Sequence, residues 1–246
     1  LNKRIADVAD EITRLTDAVT AYDIDKVTSA DKADIEKLIS DIDTLLDGDN
    51  LTESERAALE ALKGTARALL DRIAAAKDAA EADEIKAVDG ITKDNVKLED
   101  KEALEEAEKA LEGALRDFDG NYTEEENKDL ETKLETVKAA LAAIGNAEKV
   151  AEEIGKLPSA EGAKLSDKSA LDQVKKLLEG LTENEKAMLG KDALGKVDAL
   201  AEKIKKLAEE ANSPKTGDTS NLALWIALLF ISGGIVTGTT VASEKK

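Results

Sequence analysis

Carboxylates are the most abundant side chains here that could do chemistry, and one acidic loop has oxygen atoms spaced like calcium ligands. Residues Asp117–Asn121 read Asp-Phe-Asp-Gly-Asn, with an oxygen-bearing side chain at every second position. An EF-hand loop also needs Gly at its sixth position and Glu at its twelfth, where this chain has Tyr122 and Lys128. The loop is therefore predicted to be a turn leading into a helix N-cap, and no metal site is predicted.

Other chemically active groups are missing from the sequence. It contains no Cys and no His, which removes disulfides, thiol nucleophiles and imidazole bases. Only Tyr22, Phe118 and Tyr122 are aromatic before residue 222, and the last two are predicted to cover the end of a helical bundle. The 54 acidic residues outnumber 35 basic ones, giving a net charge of −19 that disfavours phosphate backbones. The sequence therefore predicts no enzyme, no cofactor and no nucleic-acid partner.

The last 34 residues combine three features in a fixed order. First comes a short polar peptide made of Ser213, Pro214, Lys215, Thr216 and Gly217. The 22 residues from Leu222 to Ser243 then carry no charge, enough for a helix to cross a ~30 Å hydrocarbon core. Trp225 lies near the start of this predicted transmembrane helix, where an interfacial anchor would, and Phe230 lies within it. Lys245 and Lys246 close the chain and are predicted to stay cytoplasmic, by the positive-inside rule.

This order resembles the cell-wall sorting signal of Gram-positive surface proteins, in which Leu-Pro-x-Thr-Gly precedes an apolar span and a positive end. Residues 213–246 match it throughout, with Ser213 in the Leu position, and resemble the Pro-Lys-Thr-Gly-Asp variant of clostridial proteins. The resemblance implies that a sortase cleaves between Thr216 and Gly217 while the membrane holds the precursor. It also implies that Thr216 is then joined to peptidoglycan, so that the protein is extracellular and anchored to the cell wall. The alternative is a plain tail-anchored membrane protein.

Helical periodicity dominates the residues before 212, and the pattern repeats three times. Apolar residues at positions 35, 38, 39, 42, 45 and 46 lie on one face of an α-helix. Three motifs of the form Asp-Lys-x-x-Ile/Leu begin at Asp31, Asp100 and Asp167. Each is followed by a Ser/Thr-x-x-Glu capping box, and these boxes begin at Thr52, Thr123 and Thr182. The same landmarks in the same order, three times, indicate an internal repeat of about 68 residues.

The predicted fold is all-α, with tandem three-helix bundle modules in an elongated array and a C-terminal transmembrane helix. The predicted bounds are 1–73, 74–144 and 145–210 for the modules, 211–221 for a linker containing the sorting peptide, 222–243 for the membrane span and 244–246 for the positive end. Because only Gly64 interrupts the helical pattern between Thr52 and Val88, the first module's last helix is predicted to continue into the second module. Gly145-Asn146 is predicted to break or kink the next junction.

The modules themselves resemble helical spacer repeats of Firmicute surface proteins, on residues 157–158, 165–171 and 181–186. They also resemble FIVAR modules, on Asp100-Lys101 and 121–123. Neither family implies a ligand. Because the chain begins Leu1-Asn2 without an initiator Met, it is expected to be a processed form or a C-terminal fragment of a longer protein. The predicted role is a stalk that displays an N-terminal domain. The alternative is that the helices form an adhesin module binding a host or matrix protein.

Overall fold

The predicted all-α class is confirmed by a computed structural model that describes residues 2–49 and 51–212. Within those residues all regular structure is helical, and no strand is present. The α-helices are α1 (Asn2–Thr20), α2 (Lys32–Leu46), α3 (Glu53–Ala80), α4 (Asp83–Ala87), α5 (Lys101–Asp117), α6 (Glu124–Lys156), α7 (Lys168–Glu179), α8 (Glu183–Met188) and α9 (Gly190–Asn212). Short 3₁₀ turns precede α2, α5 and α7.

The repeated Asp-Lys motif opens a helix at each of its three occurrences, as predicted. In each case the Asp carboxylate accepts a hydrogen bond from the backbone N–H three residues earlier, which closes the 3₁₀ turn. The three pairs are Thr28 N to Asp31 at 2.9 Å, Lys97 N to Asp100 at 2.8 Å and Lys164 N to Asp167 at 2.8 Å. The Lys that follows is the first residue of α2, α5 or α7. The motif is thus a local device for starting a helix.

The three predicted capping boxes also form. At Thr52 the backbone N–H donates to Glu55 at 2.8 Å, while the Glu55 N–H donates back to the Thr52 hydroxyl at 3.2 Å. The same reciprocal pairs occur at Thr123 and at Thr182. They satisfy N–H groups that the first turns of α3, α6 and α8 would otherwise leave unpaired.

The chain divides into two compact units between Gly145 and Asn146. In the first unit α1, α2 and α3 share one core, whose fully buried members include Leu15, Ile35, Ile42 and Leu59. Further buried residues of this unit lie on α4, on α5 and in the connector between them: Ile85, Val96, Leu104 and Leu111.

The second unit has a core of its own. It joins the end of α6 to α7 and α9 through Val150, Ile154, Leu171, Leu200 and Ile204, all of them buried. Burying a side chain of this size contributes about 1.5–3 kcal/mol to the free energy of folding. Aliphatic packing without disulfides therefore stabilises these helices.

The two helix junctions differ in part from the sequence prediction. The helix predicted to continue from Thr52 to Val88 ends at Ala80, because Ala82 adopts an extended backbone with ψ 147° and starts α4 instead. Of the break or kink predicted at Gly145-Asn146, the break is absent, since α6 continues through both residues, and the kink stays a prediction. A single helical Gly costs only about 1 kcal/mol. The Asn146 side chain offsets its weak helix propensity by donating to Glu185 Oε1 at 2.8 Å.

No helix within residues 2–49 and 51–212 is both long enough and apolar enough to cross a membrane. The predicted span, residues 222–243, lies outside the described residues and remains a prediction. The module bounds at 73/74 and 144/145 also remain predictions.

Candidate functional site

Arg72 of α3 is the centre of a polar cluster in the first unit. Its Nε donates to Asn121 Oδ1 at 2.7 Å, and its Nη2 donates to the backbone carbonyl of Asp117 at 2.7 Å. The guanidinium carbon also lies 4.4 Å from the centre of the Phe118 ring, a cation–π distance. One side chain of α3 therefore holds the loop between α5 and α6 by three separate contacts.

Asn121 extends this cluster to a third segment, the connector between α1 and α2. Its side-chain Nδ2 donates to the backbone carbonyls of Ile24 and Val27, both at 2.9 Å. With Arg72 on its Oδ1, the amide has partners for its oxygen and for its NH₂ group, although the residue is only 2% exposed. A buried amide this well satisfied fixes the positions of the groups around it. We call residues 23–29, Arg72 and 117–126 the joint.

Gly120 allows the two loops of the joint to approach closely. Its φ of +82° lies in the left-handed region, which disfavours a side chain. A Cβ placed on it would lie 2.7 Å from the backbone oxygen of Asp25. Glycine is therefore required both for the turn and for the contact.

Tyr122 attaches the same loop to α3 at a second point. Its hydroxyl donates to the backbone carbonyl of Ala76 at 2.9 Å, and its ring meets Phe118 edge-on at 6.5 Å. Burial, followed by the negative charge of Glu126, raises the pKa of Tyr122 to about 12 against the opposing effect of Arg72. The hydroxyl therefore stays a donor at neutral pH. Both aromatic residues belong to the joint, in the loop between α5 and α6, and their predicted role in covering the end of a bundle stays a prediction.

The Glu126 carboxylate accepts hydrogen bonds from two segments, the start of α6 and the connector between α1 and α2. Its Oε2 accepts from the backbone and hydroxyl of Thr123 at 2.8 and 2.9 Å, and its Oε1 accepts from the Ser29 hydroxyl at 2.7 Å. Burial raises the pKa of Glu126, but these hydrogen bonds outweigh burial and hold it below its ordinary value of 4.5. The helix cap of α6 is thus also a contact with the connector that follows α1.

The acidic loop that suggested calcium has other partners. The Asp117 carboxylate accepts from Arg116 Nε at 2.8 Å, and the Asn121 oxygen accepts from Arg72. Within residues 2–49 and 51–212 no set of three or more His, Cys, Asp or Glu side chains could hold a metal ion. The loop is a turn followed by the Thr123 cap.

The joint crosses the predicted boundary between modules 1 and 2. Ile24, Val27, Ser29 and Arg72 precede residue 73, whereas the loop that they contact follows residue 74. These contacts join the connector after α1, helix α3 and the loop between α5 and α6.

Sequence reasoning did not single out Arg72, and it considered Gly120 and Asn121 only as part of a calcium-like loop and of a repeat motif. For Arg72 the signal is a departure from the internal repeat: measured from the Thr52 and Thr123 caps, its counterpart in module 2 is Ala143. Asn121 gives no such signal, because its counterpart before Thr52 is also an asparagine, Asn50. Polar residues that a repeat does not keep are candidates for contacts outside the repeated helices.

The second unit contains a smaller polar contact set. Lys196 of α9 donates to the carbonyls of Ile154 and Gly155 at 2.9 and 3.2 Å, near the end of α6. A cation there satisfies carbonyls that the helix terminus leaves unpaired. Together with the Asn146–Glu185 bond, it connects α6 with α8 and α9.

The residues predicted for sorting and anchoring lie outside the described residues: the peptide 213–217, the span with Leu222, Trp225, Phe230 and Ser243, and the terminal Lys245 and Lys246. They remain predictions. No protein-family model matches the chain, and neither a curated protein nor a solved structure is similar to it. What this chain does is therefore inferred from its own residues.

Proposed function

We propose that this chain belongs to a cell-wall-anchored surface protein of a Gram-positive bacterium, in which the helices form a stalk. The stalk is an array of three-helix modules that holds a domain on its N-terminal side away from the membrane. It has no catalytic role of its own. Its partners are a sortase, which acts on it, and peptidoglycan, to which it becomes joined.

The observation that carries the proposal is the order of features in residues 213–246. A Pro-x-Thr-Gly peptide, an uncharged stretch of membrane-spanning length and two terminal lysines occur together and in sequence. Pro214 fixes its own φ and disfavours helix in the residue before it, which suits a peptide bound in extended form. Each feature alone would be weak evidence.

The proposed anchoring step is a transpeptidation. The thiolate of the sortase attacks the carbonyl carbon of Thr216, and the peptide bond to Gly217 breaks, with Gly217 leaving as a free amine. An amino group of a peptidoglycan precursor then attacks the thioester, which forms a new amide at Thr216 and releases the sortase thiol. The chain supplies the acyl group and no catalytic residue.

The joint supports the stalk role. A spacer holds a domain at a set distance only if its successive modules keep a fixed orientation to each other. Arg72, Asn121 and Glu126 provide short polar contacts across the predicted boundary between the first two modules. Helix α3, packed against α1 and α2, contributes Arg72 to this contact.

A Thr216→Ala substitution tests the proposal. The variant should be exported and held by residues 222–243, and it should fractionate with membranes and be released by detergent. The wild-type protein should instead be released by enzymes that digest peptidoglycan. Thr219→Ala, three residues beyond the cleavage site, is the matched control and should behave as wild type. If wild type and Thr216→Ala both require detergent for release, the chain is a membrane-anchored protein and the sortase proposal fails.

A further inference from the structure

The last turn of α9, residues 209–212, follows the last buried residue of the second unit. The buried side chains of α9 recur at helical spacing, and they are Val197, Leu200, Ile204 and Ala208. Residues 209–211 come next and are exposed, and the helix ends at Asn212. Residues 209–211 can therefore leave the helix without exposing buried apolar side chains.

The charges at the end of α9 also weaken this turn. The C-terminal end of a helix carries a partial negative charge, so that cations stabilise it and carboxylates destabilise it. Within α9 the last turn contains Glu209 and Glu210 and no Lys or Arg. Lys206 pairs in the other direction along the helix, with its Nζ 3.2 Å from Glu202 Oε1. Other helices do have a cation in their last turn: Lys77 in α3, Arg116 in α5, Lys156 in α6 and Lys176 in α7.

The proposed sorting peptide begins directly after this turn. In the sequence Ser213 follows Asn212 without a spacer, whereas four residues, 218–221, separate the peptide from the predicted span. With α9 intact, a sortase would find no free chain on the N-terminal side of the five residues that it binds in extended form. Unwinding residues 209–212 would lengthen this segment from about 6 Å to about 14 Å and would carry the peptide away from the helices.

A terminal turn of this kind opens easily. Each residue added to a helix is favoured by a factor of about 1–1.6, so that four residues favour the helical form by no more than about sevenfold. Glu209 and Glu210 lower this factor further. The open form is therefore populated before any enzyme binds, and binding selects it.

We propose that the last turn of α9 is a tether, which unwinds when the sortase binds residues 213–217 and so gives the enzyme access to Thr216. Glu209 and Glu210 are positioning residues that keep this turn weak. The inference rests on the proposed sortase anchoring and extends it to described residues outside the sorting peptide.

Two double variants test the role of the glutamates. Glu209→Ala with Glu210→Ala removes the repulsion at the helix end and introduces the best helix former, so the amides of 209–212 should exchange with solvent more slowly. In a pulse-chase experiment, conversion of the membrane-held precursor to the wall-linked product should slow by about twofold to fivefold. Asp198→Ala with Glu202→Ala removes two carboxylates from exposed positions earlier in α9 and should leave both rates unchanged.

A change of length tests the tether itself. Deletion of residues 209–212 should nearly abolish conversion, although the sorting peptide and the predicted span are intact. Replacement of the same four residues by Gly-Ser-Gly-Ser keeps the length and removes the helix, so conversion should be as fast as in the wild type or faster.

Equal conversion rates in the wild type and in the Glu209→Ala, Glu210→Ala variant would overturn the proposal, as would full conversion of the deletion variant. Wild-type amides at 209–212 that exchange as slowly as those at 204–208 would also contradict it. If the wild type itself yields no wall-linked product, it is the sortase proposal that fails, and the tether fails with it.

Discussion

At the scale of single residues, Arg72 is the side chain on which the joint most depends. Truncation to Ala would leave the buried oxygen of Asn121 and the Asp117 carbonyl without their donor. We expect Arg72→Ala to lower the free energy of unfolding by about 2–3 kcal/mol, measured by urea denaturation. Arg67→Ala, on an exposed position of the same helix, is the control and should change it by less than about 0.5 kcal/mol. Equal losses in the two variants would contradict the assignment.

Substituting Gly90 and Gly120, which have the same φ, separates the energetic cost of backbone strain from that of a steric clash. Gly120 and Gly90 both have φ of +82°, but a Cβ on Gly90 meets nothing within 4 Å. Gly90→Ala should therefore cost only the left-handed conformation, about 1–2 kcal/mol. Gly120→Ala adds a clash with the Asp25 carbonyl and should cost about 1–3 kcal/mol more. Thermal unfolding of both variants measures the difference, and equal costs would show that the two loops do not pack as described.

At the scale of helices, the cap of α6 links pH to stability through Glu126. Its folded pKa lies below 4.5, so its contribution is fully present above about pH 4.5 and is lost as pH falls through the folded pKa. Ser29→Ala removes one of the hydrogen bonds that lower this pKa. It should raise the pKa of Glu126, measured by NMR of the side-chain carboxyl. The pKa of Glu55, whose cap involves only Thr52, should stay unchanged, and a shift in both would argue against the Ser29 contact.

Which helices could be predicted follows from the range of the interactions that define them. The Asp-Lys turns and the Thr-x-x-Glu caps close within three residues, so the sequence specifies them. The continuity of α6 is accompanied by a contact distant in sequence, the hydrogen bond from Asn146 to Glu185, and the end of α3 at Ala80 coincides with the non-helical backbone of Ala82. Periodicity and Gly positions alone therefore missed the end of α3 at Ala80, and they allowed a break in α6 that is absent.

The joint could not be predicted for the same reason. Arg72 and Asn121 are 49 residues apart, and Ser29 and Glu126 are 97 apart. Each residue is an ordinary polar position on an acidic, helical sequence. Only the three-dimensional contacts show that these positions meet. In the sequence, only Phe118 and Tyr122 indicated that the loop between α5 and α6 differs from the others, because aromatic residues are rare in this chain.

At the scale of the whole molecule, charge is the dominant long-range feature. Residues 1–145 hold 38 acidic and 20 basic side chains, and mutual repulsion opposes their compact state. Added NaCl should raise the melting temperature, because the screening length falls from about 10 Å at 0.1 M salt to about 3 Å at 1 M. Far-UV circular dichroism would follow this. Calcium at equal ionic strength should give the same rise, and a much larger rise would show a metal site.

The central claim is that the chain is cut after Thr216 and joined there to the cell wall. Mass spectrometry of the C-terminal peptide from wall-released protein tests it most directly. The peptide should end at Thr216, carry a peptidoglycan fragment on the Thr216 carbonyl, and lack Gly217 and everything beyond it. A mature protein whose peptides include Trp225 would contradict the claim, because the apolar segment would then be a permanent membrane anchor.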